Sequence, residues 1–226
     1  MITRFFVTGT GSRVGKTIVS RALLQAAAGK GKTAIGYKPI ATGCGALAEG
    51  DKSKDAVILQ NSSSISYPLR SITPFALISE DIYANETPEN IFDVMTEGLN
   101  FMGQEADVVM IEGGDGWRTL ITPQCYYSDW VKQLNIPVIL VVGIQEGCVS
   151  HALLTAQAIF ADKLPFAGWV ANRINPGLAN YSKTISILRA NLNAPLLGEI
   201  PYLSRAETRD MTKFIDLSTL EERVYV

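Results

Sequence analysis

The sequence predicts an α/β fold built on a doubly wound, mostly parallel sheet flanked by helices. Three observations carry this expectation. Short β-rich apolar runs alternate with amphipathic stretches along the chain. The middle runs, such as Val108-Val109-Met110-Ile111, are apolar throughout, as strands covered by helices on both faces require. A glycine-rich turn separates the first apolar run from the first amphipathic one. In order, strands are expected at Arg4 to Thr8, Thr33 to Lys38, Ala106 to Glu112, Pro137 to Val142, Phe166 to Asn172 and, more weakly patterned, Pro195 to Ile200. Helices are expected at Lys16 to Lys30, Pro88 to Gly103, Tyr127 to Gln133, His151 to Asp162 and Tyr181 to Leu192. Gly43 to Lys54 is small, polar and Gly-rich, which predicts a mobile loop over the sheet edge. Ser62 to Thr87, with Pro68 and Pro74, reads as an excursion from the rhythm.

Composition narrows the function classes. The 226 residues are 47% hydrophobic and 19% charged, with 20 basic and 22 acidic side chains and a formal net charge of −2. A chain of this length buries about 70% or more of its unfolded surface and needs no staple to fold, and one domain spanning 1–226 is expected. Near-neutrality without charge runs argues against nucleic acid as a partner. The longest apolar run, Ile136 to Ile144, is far short of the ~18 residues of a membrane span. Met1 to Thr8 lacks the features of a secretory signal, so a cytoplasmic location is expected. Cys44, Cys125 and Cys148 are scattered without close Cys or His partners, which predicts buried, reduced thiols.

The chemistry-bearing motif is GTGSRVGKT, Gly9 to Thr17, at the first strand-to-helix turn. It looks like a phosphate-binding loop, and it makes the expected fold P-loop NTPase-like. Gly9 stands six positions before Gly15, so the loop is one residue longer than G-x-x-x-x-G-K-[ST]. Gly15 lets the backbone approach phosphate, successive N–H groups at the helix start hold the anion, Lys16 adds a point charge, and Thr17 offers a hydroxyl to Mg²⁺. A dinucleotide site is disfavoured: the spacing is G-x-G-x-x-x-G, and the second strand ends in Lys38 rather than an acidic residue.

Further candidates lie at the same end of the predicted sheet. Lys38, before the Pro/Gly-rich turn Pro39 to Gly43, could stabilise charge that grows during phosphoryl transfer, and Thr42 could hydrogen-bond a substrate. Glu112 ends a very apolar strand ahead of Gly113-Gly114, where a carboxylate suits Mg²⁺ coordination better than stability. Asp55 would complete an oxygen ligand set with Thr17 and Glu112; it could equally be a helix N-terminal carboxylate. Gly147 to Ser150 opens a helix whose free N–H groups could bind a carboxylate. His151 has no sequence signal for an acid or nucleophile partner and Cys148 has no activating cation beside it, so both read as structural.

Together with KDA at Lys54 to Ala56, IEGGDGW at Ile111 to Trp117, PVILVVG, GCVSHALLTAQ, WVAN at Trp169 to Asn172 and LLGEIPYL, these motifs resemble the dethiobiotin synthetases over nearly the whole chain. The resemblance implies a MgATP-dependent homodimer that closes the ureido ring of dethiobiotin from 7,8-diaminopelargonate and CO₂, through a carbamate and its mixed anhydride with phosphate. It implies catalytic roles for Lys16 and Lys38, and Mg²⁺ held by Thr17, Asp55 and Glu112. ATP would meet Arg13, Val14, Gly15, Gly113, Gly114, Asp115 and, around the base, Asn172, Pro201, Tyr202 and Leu203. The substrate would meet Ser12, Thr42 and Tyr181, with Gly147, Cys148, Val149 and Ser150 of the partner subunit receiving its carboxylate. Arg13, Asp115, Glu146 and Ser150 depart from the family pattern and point to possible change in substrate. Two alternatives remain at this level: a paralogue acting on another substrate, and a regulatory P-loop ATPase. Against the latter, Gly11 occupies the position where such ATPases usually carry an extra lysine.

Overall fold

The computed structural model describes residues 3–42, 53–77, 82 and 88–223. In chain order the elements are β1 (Thr3–Gly9), α1 (Lys16–Gly29), β2 (Ala34–Tyr37), β3 (Ile40–Thr42), α2 (Lys54–Ser62), α3 (Leu69–Ile72) and β4 (Phe75–Leu77). Then follow α4 (Ile91–Met102), β5 (Val108–Glu112), α5 (Tyr127–Gln133), β6 (Val138–Gly143), α6 (Cys148–Ala161), β7 (Phe166–Asn172), α7 (Tyr181–Asn191), β8 (Leu196–Ile200) and α8 (Ser218–Arg223). Two 3₁₀ turns, Ala206–Thr208 and Thr212–Phe214, lie between β8 and α8.

Six strands form one sheet in the order β2-β5-β1-β6-β7-β8, and every neighbouring pair is parallel. β6 and β7 are buried along their whole length, which is why their sequences show no alternation. α1 packs across β1, β2 and β5, whereas α6 packs on β6 and β7 beside α7. Because β1 leads to β2 on one side and β6 to β7 on the other, right-handed crossovers put α1 and α6 on opposite faces. The aromatic core includes Trp130 and Trp169, both fully buried.

The six sheet strands stand within two residues of their expected bounds. The differences lie between them. Residues 43–52 of the expected mobile loop lie outside the described residues, but Lys54 already opens α2, whose cap is the Ser53 hydroxyl accepting the Ala56 N–H. The excursion supplies one strand of a second, two-stranded parallel sheet: Phe75 to Leu77 of β4 pair with Ile40 to Thr42 of β3, which directly follows β2. Strands of three residues are too short to show a period. α6 begins at Cys148, earlier than the expected His151, because Gly147 takes the left-handed conformation (φ 77°) that turns the chain into the helix. Cys148 is buried as expected, Cys125 is only half-buried, and Cys44 lies outside the described residues.

The sheet's β2 edge is closed by side chains rather than by another strand. The Ser64 hydroxyl accepts the Ala34 N–H at 3.0 Å and the Ser63 hydroxyl accepts the Gly36 N–H at 2.9 Å. At the opposite edge, Gly198 of β8 forms an antiparallel bridge with Ile215.

Candidate functional site

The phosphate-binding loop sits at the C-terminal end of β1, where a doubly wound sheet opens its ligand crevice. Its conformation needs Gly15, whose φ of 88° disfavours any side chain and whose added Cβ would meet the Asn172 Nδ2 at 2.0 Å. Asn172, at the end of β7, donates from that nitrogen to the Val14 carbonyl at 2.9 Å. The Val14 side chain is buried and fills the space that a side chain on Gly9 or Gly143 would occupy, so only its backbone faces the crevice. Arg13 also adopts a left-handed conformation, at φ 57°, with its side chain exposed.

Lys16 reaches across the loop to the Gly11 carbonyl at 3.0 Å and the Asp115 carbonyl at 3.1 Å. Burial lowers the pKa of this ammonium, against the opposing pull of Glu112. One residue on, the Thr17 hydroxyl donates to Glu112 Oε1 at 3.0 Å. The same oxygen accepts from Lys38 Nζ at 2.6 Å. Both partners of this pair are withdrawn from solvent, the side chain of Lys38 being 7% exposed and that of Glu112 1%. Burial opposes the Lys38 charge, but Glu112 and Asp55 outweigh it and hold its pKa above the ordinary lysine value. Asp55 Oδ2, on the first turn of α2, lies 3.4 Å from Lys38 Nζ. The Lys38 N–H is bound by the Ile72 carbonyl at 2.9 Å, so the excursion through α3 fixes where β2 delivers this lysine.

The second Glu112 oxygen, Oε2, is buried and has no hydrogen-bond partner. An ionised oxygen in that state is costly unless a cation completes it. The residues present therefore fit a hard divalent cation: one orphaned carboxylate oxygen, the Thr17 hydroxyl and the half-buried Asp55 carboxylate, with room for water and phosphate oxygens. Among the described residues no group of three His, Cys, Asp or Glu side chains is clustered for a metal.

Ser12, Arg13, Gly15, Lys16, Thr17, Lys38, Asp55, Glu112, Gly114 and Asp115 line one cavity of about 450 Å³. Gly113 is buried behind it against Phe6. A second cavity, of about 550 Å³, is lined by Gly147, Cys148 and Val149 together with Glu146 and the loop from Asn175 to Asn180. Ser150 is exposed and outside that lining. Tyr181 is also outside it: its hydroxyl donates to Glu199 at 3.4 Å and its ring lies under the Arg173 guanidinium. Pro201, Tyr202 and Leu203 follow β8, next to the β7 end that carries Asn172, and Tyr202 is 55% exposed. Thr42 ends β3 opposite Leu77. His151 is exposed on the first turn of α6. The sequence missed the Asn172 contact with Val14 and the Lys16 contact with Asp115, because both join segments about a hundred residues or more apart through backbone oxygens that carry no residue signature.

The fold and this crevice define a P-loop nucleotide-binding protein. A family model described as an AAA domain matches residues 3–209. The chain is 52% identical over 220 residues to ATP-dependent dethiobiotin synthetase BioD 2 of Yersinia pestis, covering 97% of this chain and 99% of that one. It is 51% identical over 221 residues to the BioD 2 protein of Escherichia coli K12, covering 97% and 95% respectively. The chain belongs to the dethiobiotin synthetase family. Among solved structures, the septum site-determining protein MinD of Pyrococcus horikoshii, complexed with Mg-ADP, superposes with a TM-score of 0.59 at 12% identity, covering 99% of this chain and 96% of that one. The cell division protein FtsY of Thermotoga maritima gives 0.55 at 14% identity, covering 94% and 69%. These two likenesses concern the fold.

Proposed function

We propose that the chain is an ATP-dependent dethiobiotin synthetase, a carbon–nitrogen ligase of biotin biosynthesis, and that its MgATP site is the cavity around Lys16, Thr17, Lys38 and Glu112. The observation that supports this siting best is the buried Lys38–Glu112–Thr17 cluster, which holds one unpaired anionic oxygen beside a phosphate-binding loop. The reaction phosphorylates a carbamate made from one amine of 7,8-diaminopelargonate and CO₂; the second amine then attacks the activated carbonyl and expels phosphate. Such chemistry asks for positioning and charge stabilisation rather than a protein nucleophile. Loop N–H groups and the start of α1 receive the phosphates. Lys16 and Lys38 place two ammonium groups where negative charge accumulates on the transferred phosphoryl group and the carbamate. Mg²⁺, held by Thr17, Asp55 and Glu112, would neutralise phosphate charge. Ser12 lines the same cavity and is assigned to the diamine.

The substrate carboxylate is assigned to the start of α6, at Gly147 to Ser150, supplied by the partner of a homodimer. Residues 1–226 act as one domain in this scheme. Exposed Leu154, one turn beyond Ser150 on α6, and exposed Ile187 on the adjoining α7 support this end of the molecule as the dimer contact. The decisive experiment is phosphate release from MgATP with 7,8-diaminopelargonate and bicarbonate, with the organic product identified by mass. Diamine-dependent release yielding dethiobiotin is expected. Hydrolysis indifferent to the diamine would overturn the assignment.

A further inference from the structure

Arg21 lies on α1, five residues beyond Lys16, and is 9% exposed. No part of the phosphate or cation chemistry uses it. Its guanidinium Nη1 donates to the Ala206 carbonyl at 3.2 Å and also to the Arg209 carbonyl. One turn on, Gln25 Oε1 accepts the Met211 N–H at 3.0 Å, and the Met211 side chain is fully buried. Two polar side chains of the phosphate-binding helix therefore peg the segment that follows β8.

That segment begins at the crevice. The Val14 carbonyl is held by Asn172; Asn172 pairs with Ile200 across β7 and β8; and Pro201 to Leu203 come next. On the nucleotide-site reading, a ligand seated by its phosphates on the loop and extended past Asn172 would run toward Pro201 to Leu203, which follow the Ile200 partner of Asn172. There Tyr202 presents an exposed ring suited to stacking on a flat heterocycle. Only Ser204 and Arg205 separate Leu203 from Ala206, and Arg205 is in the left-handed conformation (φ 54°), so a tight turn transmits the position of the clamped carbonyls to the stacking surface.

We propose that Arg21 is a positioning residue for the nucleoside end of the ligand: by clamping the Ala206 and Arg209 carbonyls to α1, it sets where Pro201 to Leu203 stand. The proposal rests on the nucleotide-site reading above and deepens it. A guanidinium suits the task because the two hydrogens of one terminal nitrogen, Nη1, serve two backbone oxygens at once from a largely buried position.

The test compares ADP with inorganic tripolyphosphate, both with Mg²⁺, binding to the full chain by calorimetry. The variants are Arg21→Met, which keeps packing without donors, and Arg21→Lys, which keeps the charge. Arg21→Met is expected to weaken ADP about tenfold, the equivalent of ~1.4 kcal/mol, in keeping with loss of charged hydrogen bonds. Tripolyphosphate affinity should stay within about twofold, KM for ATP should rise with kcat retained, and Arg21→Lys should recover part of the ADP affinity. Unchanged ADP affinity in Arg21→Met, an equal loss for both ligands, or wild-type ADP binding no tighter than tripolyphosphate would each overturn the proposal. Wild-type protein that binds neither ligand would overturn the nucleotide site itself, and this proposal with it.

Discussion

Glu112 concentrates the local energetics because its Oε1 serves both Thr17 and Lys38 while its Oε2 has no partner. Lys38→Met would leave that carboxylate buried without compensation, so a loss of about 3–5 kcal/mol of stability is expected in chemical denaturation. Glu112→Gln should cost less stability than Lys38→Met yet still abolish diamine-dependent turnover; turnover within twofold of wild type would refute its catalytic placement. Gly15→Ala forces both a strained φ and a collision with Asn172, and nucleotide binding should disappear while the sheet remains folded, as read by ADP calorimetry and far-UV circular dichroism. The two lysines also differ in their response to pH. Burial lowers Lys16 below its ordinary 10.5, so in the free protein its charge, and with it ADP affinity, falls before that pH is reached. Lys38 is raised, so its contribution to stability is complete below 10.5 and is lost only as pH passes through the higher folded value. ADP titrations from neutral to alkaline pH should show the early limb, and a flat profile up to 10.5 would contradict it.

At the scale of elements, α2 carries Asp55 into the site and depends on a modest cap. Ser53→Ala removes the acceptor of the Ala56 N–H and should cost about 0.5–2 kcal/mol, with a greater loss of turnover than of ADP binding. Ser63→Ala would strip the Gly36 N–H of its acceptor at the sheet edge and should lower stability by about 1–3 kcal/mol without changing KM for ATP. How far such elements were legible follows from their patterning. The long strands declared themselves because two-sided burial leaves unbroken apolar runs, as in Val138 to Gly143. α2 did not, because its apolar residues form one unbroken block, Ala56 to Leu59, between polar ends, which shows no helical period; only Ala56 and Leu59 of it are buried. The site was legible where a motif fixes residue type at fixed spacing, as for Lys16 and Thr17. Glu112 was legible as a charge ending an apolar strand. The 2.6 Å pairing of Lys38 with Glu112 was not, since it depends on β2 and β5 lying side by side although the two residues are 74 positions apart.

For the whole molecule, the proposed dimer makes Leu154 the most direct test, because it is a large apolar side chain 61% exposed on the solvent side of α6 and so has little folding role. Leu154→Glu should give a folded monomer in sedimentation with reduced turnover but intact ADP binding; a dimer unaffected by it would move the interface elsewhere. The segment pegged under α1 also bears on how the chain acquires its structure. Arg21 bonds to carbonyls 185 and 188 positions away, and Met211, which seals the far end of the same helix, is equally remote. During synthesis at the ribosome, α1, which directly follows β1, therefore waits with one flank uncovered until every other strand of the six-stranded sheet has followed. Nascent chains halted before residue 205 should be held by general chaperones and digested within α1 by protease, whereas chains extended past residue 216 should resist, so that competence to grip a nucleotide arrives late and all at once.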